Sequence, residues 1–149
     1  MNRRRIACTL VLALLLPAAA FAAGDPTPPA PRLTGSPYDR GRNEVNMGNW
    51  ERAAELFRQA VQADPKRHQA YNMLGYALRK LGKPKEALEA YNRALALKPD
   101  YAPALEYRGV AHLALKDRKA ALADYQALVK LGSPLAQDLK QEIDSAPAN

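Results

Sequence analysis

The sequence predicts an all-α fold in which antiparallel helix pairs stack side by side into a solenoid. Three observations point there. Residues recur at intervals of 34: Gly41, Gly75 and Gly109; Ala53, Ala87 and Ala121; Phe57, Tyr91 and Tyr125. A fixed interval of that size marks a chain that repeats one supersecondary unit. Within each copy, apolar residues return every three or four positions, as on a helix that buries one face. The composition also leans to Ala and Leu, with few Val, Ile and Thr, which favours helix over strand. At 149 residues and 48% apolar content, the chain has room for one domain with a real core.

The elements follow in order. Arg3, Arg4 and Arg5 precede a nearly unbroken apolar run, residues 6–16, and Ala20-Phe21-Ala22 fits a small-residue cleavage site. Residues 1–22 are therefore expected to be an export signal cut after Ala22. An uncleaved inner-membrane anchor is the alternative, although Pro17 interrupts the run and a spanning helix needs about 20 apolar residues. Cys8, the only cysteine, precedes most of the apolar run, so lipidation there is not expected. Losing three Arg would take the formal charge from +7 to +4, a balance that speaks for solubility rather than for nucleic-acid binding. Residues 23–36 are rich in Pro and carry no helical period, so they read as an extended linker.

The repeats occupy residues 34–67, 68–101 and 102–135. The first opens on Ser36-Pro37-Tyr38-Asp39, an N-cap, a first-turn Pro and an acid at the third helical position. In the second, Tyr71, Leu74, Leu78 and Leu81 form one apolar stripe that stops at Gly82. Ala87, Leu88, Tyr91, Ala94 and Leu95 form another that stops at Lys98-Pro99. In the third, Pro103 suits a first turn, and Lys116 stands where the others have a turn Gly. Ser133-Pro134 opens a last helix over 134–145, with Leu135, Leu139 and Ile143 on one face. It is expected to cap the open end of the stack, or else to pair two copies.

A 34-residue helix–turn–helix with these residues resembles the tetratricopeptide repeat family. The second copy matches best, with Tyr71, Leu74, Gly75, Gly82, Ala87, Tyr91, Ala94 and Pro99. The first departs at its start, with Pro37 and Arg40, and the third has Leu128 for a small residue. The resemblance implies a right-handed superhelix, with Gly and Ala permitting close helix approach and the aromatic column filling the gap beside them. No repeat can bury its face alone, so about three are needed.

The resemblance also implies a concave groove lined by the first helix of each copy. Its partner-binding positions correspond here to Tyr38, Arg42, Asn46, Asn72, Tyr76, Arg79, Glu106 and Tyr107, with Val45, Met73, Lys80, Val110 and Leu113 beside them. Tyr and Arg supply contact area and forked donors, which suits recognition. Tolerated surface tyrosines are the alternative. The carboxylate clamp of chaperone-binding members is not expected, because its places hold Tyr38, Arg42, Met73, Pro103 and Tyr107. A basic edge at the turns (Arg79, Lys80, Lys83 and Lys85, then Lys116, Arg118 and Lys119) could meet an anionic surface weakly.

Little here suggests chemistry. Beyond residue 22 there is no Cys, and Ser36, Ser133, Ser145, Thr27 and Thr34 all fall in linker, cap or tail. His68 and His112 have no partner motif, no metal-ligand spacing occurs, and the glycines are isolated. The expectation is a non-catalytic protein-interaction module without cofactor, metal or nucleic acid. It would be periplasmic or secreted, in a bacterial envelope. A self-associating structural module is the alternative.

Overall fold

A computed structural model describes residues 35–147, and the expected export signal, Cys8, the anchor alternative and the linker up to residue 34 lie outside them. Seven helices account for the described residues: α1 (Pro37–Asn46), α2 (Trp50–Ala63), α3 (His68–Lys80), α4 (Pro84–Leu97), α5 (Ala102–Ala114), α6 (Arg118–Lys130) and α7 (Leu135–Ser145). No strand occurs among these residues, and no helix among them is long and apolar enough to cross a membrane.

Local chemistry sets the boundaries. Ser36 accepts the Asp39 amide at 3.2 Å with Pro37 at the first helical position, so α1 starts where the sequence places it. Pro84 opens α4, and Asp117 caps α6 by accepting the Ala120 amide at 3.0 Å. The turn after α3 needs a left-handed residue, and Gly82 supplies φ +72°. The equivalent turn after α5 puts Lys116 at φ +62°, the one non-glycine left-handed residue described. The last helix begins at Leu135, one residue past the expected start, with Ser133 Oγ accepting the Leu135 amide at 3.3 Å.

Each helix packs on the next, and α7 packs on both α5 and α6. Beyond those neighbours, α1 meets α3 and α3 meets α5, whereas α2, α4 and α6 do not meet one another. The first helices of the three repeats therefore form the inner layer of a curved stack. The buried core runs through the expected columns: Ala53, Ala87 and Ala121 are fully buried, as are Phe57 and Tyr91. Close approach explains the glycines. A Cβ on Gly41 would lie 2.8 Å from the Phe57 ring, and one on Gly75 would lie 2.6 Å from the Tyr91 ring.

The third repeat corrects the expected pattern. Tyr125 is only half-buried, and Gly109 faces Leu139 of α7 instead, where a Cβ would meet the Leu139 side chain at 2.6 Å. The terminal helix thus supplies the filling that an aromatic supplies earlier in the stack. It is also pinned at its far end, where Arg118 Nη1 donates to the Ile143 carbonyl at 2.6 Å. A charged network ties α4, α5 and α6 as well. Arg108 donates to both oxygens of the buried Asp124 carboxylate and, through Nη1, to Asn92 Oδ1 at 2.8 Å. Nothing in the repeat pattern signals that network.

Candidate functional site

The inner layer carries aromatic rings with cations laid over them, in two clusters. One lies at the N-terminal ends of the inner helices. Arg67 sits 3.8 Å above the Tyr38 ring centre, and Tyr38 leans on Phe57 at 5.8 Å. His68 meets Tyr101 edge-on at 4.6 Å. Burial lowers the His68 pKa, with Lys98 adding to the effect, so the imidazole is held toward its neutral form. Burial also raises the Tyr101 hydroxyl, and the nearby Tyr38 adds to that. Asp39 is lowered, first by the Ser36 hydroxyl and then by the charges of Arg67 and Arg42.

The second cluster lies farther along the same helices. Tyr76 of α3 stands 5.1 Å from Tyr107 of α5, and Trp50 of α2 meets Tyr76 edge-on at 5.8 Å. Arg79 lies 5.4 Å from the Tyr76 ring centre and 5.9 Å from that of Tyr107. Lys80 lies 5.4 Å from the Trp50 ring and 5.9 Å from Tyr76. Tyr76 and Arg79 are three apart on α3, so one helical face presents both. Beneath them Tyr91 is fully buried, 6.2 Å from Tyr107. Its hydroxyl and Arg79 Nε are buried without a hydrogen bond of full geometry. Burial drives the Tyr91 pKa well up, and the Arg79 charge beside it only partly offsets this.

Toward the C-terminal end the charge changes sign. Glu106 is half-buried, and burial raises its pKa; Asp138 and Glu142 of α7 push it further, while Arg79 pulls it back. Tyr107 is raised by burial first and then by Glu106. The structure therefore brings Tyr76, Arg79, Glu106 and Tyr107 into one neighbourhood, with Tyr38 in the other cluster. Arg42 and Asn46 are exposed on α1. Asn72 departs from the expected surface role: it is 2% exposed, and its Oδ1 has no hydrogen-bond partner.

Sequence reasoning missed Trp50, Arg67, Asp138 and Glu142. Trp50 is the sole tryptophan and begins a second helix, which the groove pattern does not include. The α7 carboxylates flank the buried stripe of Leu139 and Ile143, so a helical projection could have placed them on its border. The basic edge is divided. Lys83 is 3.7 Å from Glu86, Arg118 holds α7, and Arg79 and Lys80 lie on the groove rings. Among the described residues, no group of His, Cys, Asp and Glu is arranged to hold a metal.

The tetratricopeptide repeat profile matches residues 38–102 and 77–136. A DnaJ homolog subfamily C member 7 homolog of Schizosaccharomyces pombe is 31% identical over 109 residues, covering 70% of this chain and 23% of that protein. The chain spans less than a quarter of that relative's length. The second such domain of human RPAP3, solved in complex with an HSP70 peptide, is 27% identical; the match covers 74% of this chain and 93% of that one, with a TM-score of 0.69. The first such domain of Spaghetti (RPAP3), solved with an HSP90 peptide, is 25% identical, covers 74% and 89% of the two chains, and has a TM-score of 0.68.

Proposed function

This chain belongs to the tetratricopeptide repeat family, and on that premise we propose that it is a non-catalytic interaction module whose inner face, along α1, α3 and α5, holds a segment of a partner polypeptide. The carrying observation is the juxtaposition of Tyr76 and Tyr107 at 5.1 Å with Arg79 over both rings. Half-exposed aromatics beside a guanidinium give large contact area at low entropy cost, the composition of binding hot spots. The two RPAP3 domains, which share the fold over most of this chain, are solved with peptides bound.

The setting proposed is a bacterial cell envelope, periplasmic or secreted, and the Arg-led apolar stretch over residues 1–22 supports it. The module then acts as an adaptor without cofactor or metal. Crosslinking capture from the envelope, comparing the wild type with a Tyr38/Tyr76/Tyr107→Ala triple variant, tests it. A partner lost with the triple variant is expected. The single changes at Tyr76 and Tyr107 should each weaken capture by about 1–3 kcal/mol. Unchanged capture places the interface elsewhere.

Self-association is the second reading. Leu122, Val129 and Leu131, on and just after α6, are 37%, 51% and 45% exposed. A size that grows with protein concentration, and that reverts in a Val129→Lys variant, would favour it over the groove.

A further inference from the structure

Resting on the groove reading, we propose that the seat formed by Arg79 and Lys80 around Tyr76 takes an acidic side chain of the partner segment, next to an apolar residue that lies against Trp50 and Tyr107. The charge pattern supplies the argument. Arg58, Lys83, Lys98, Arg108 and Lys140 each pair with a carboxylate. Arg79 and Lys80 take part in none of these pairs and lie over aromatic rings instead. A cation held on a ring face keeps its charge and its outward donors available for an anion. Arg79 is the better placed, since its Nε is buried above the fully buried Tyr91 and its side chain is held in the groove wall.

Beyond Tyr107, on the side toward α7, Glu106 already feels the Arg79 charge. Burial chiefly raises the Glu106 pKa, and the charges of Asp138 and Glu142 on α7 add to it, so a further carboxylate is disfavoured on that side. An acid on the partner is therefore favoured at the α3 turn, where Arg79 and Lys80 lie over the rings, rather than beside α7. These residues are not the set that the family's carboxylate clamp uses, whose places hold Tyr38, Arg42, Met73, Pro103 and Tyr107.

Random peptides displayed on phage and selected on the full chain test the seat. Enrichment of Asp or Glu beside an aromatic or aliphatic residue is expected. Synthetic versions of the selected peptides should bind about tenfold more weakly to Lys80→Gln and to Arg79→Gln, keep their affinity for Lys130→Gln, and weaken as salt rises. Lys80 is exposed, so its variant reports on charge without disturbing the core. Asp138→Asn should strengthen the same peptides several-fold. Neutral or basic sequences that still depend on Tyr76 and Tyr107 overturn the acidic seat and leave the groove standing. Sequences indifferent to Tyr76 and Tyr107 overturn both. A short oligothymidylate that binds more tightly than any peptide, and loses that affinity with Arg79→Gln, assigns the strip to nucleic acid and overturns the proposal.

Discussion

At Gly75 a Cβ would stand 2.6 Å from a ring of Tyr91 that is itself fully buried. The ring is locked between packed helices and has nowhere to go, so even one methyl group must separate α3 from α4. Gly75→Ala should lower unfolding stability by about 1–3 kcal/mol despite alanine's better helix propensity, measured by urea denaturation. Lys116 presents the opposite case. It holds a left-handed conformation at φ +62° where the earlier turns use glycine. That conformation costs a β-carbon-bearing residue roughly 1–2 kcal/mol, and glycine's extra freedom in the unfolded chain offsets part of the gain. Lys116→Gly should therefore stabilise by about 0.5 kcal/mol in the same assay. Both positions stand out in the sequence as members or breaches of a column. How tightly the Gly75 column meets the aromatic beside it does not.

The terminal helix shows how an element earns its place. In isolation, eleven residues are too few for a stable helix. Packing rescues α7, because Leu139 and Ile143 are buried against α5 and α6 and Arg118 holds its last carbonyls. Leu139→Ala should cost about 2–5 kcal/mol, since it removes the side chain that covers Gly109. Arg118→Ala should cost less and act locally. Faster amide exchange confined to residues 135–145, with the rest of the chain little changed, is the expected readout. The apolar stripe of α7 was legible from its spacing. Its substitution for the aromatic of the third repeat was not, because that depends on where the last helix docks.

Across the whole molecule, curvature turns three separate helices into one surface. The inner contacts of α1 with α3 and of α3 with α5 bring Tyr76 beside Tyr107, residues from different repeats and different positions within them. The same stacking half-buries Glu106, which raises its pKa, and the charges of Asp138 and Glu142 add to the rise. A carboxyl whose folded pKa is raised binds its proton more tightly in the folded state, so the stability this site contributes falls as pH rises above the ordinary carboxylate range. Glu106→Gln, which mimics the protonated form, should raise Tm at pH 7. That advantage should fade at pH values below the unfolded carboxyl pKa, where wild-type Glu106 is protonated as well. Equal melting temperatures at pH 7 would show that burying this carboxylate carries no net cost.

By itself, the sequence determined the helices and their pairing into repeats. Those follow from short-range rules: a 3–4 apolar spacing, prolines and glycines at the boundaries, and Ser36 as a cap. The interval of 34 made the same rules visible three times over. Only the tertiary structure decided the rest. It placed Trp50 against Tyr76, buried Asn72, linked Arg108 to Asp124 and Asn92, and set α7 against Gly109. Each of these depends on the distance and angle between neighbouring repeats, and those emerge from side chains on two or three helices packing at once rather than from any one stretch of chain.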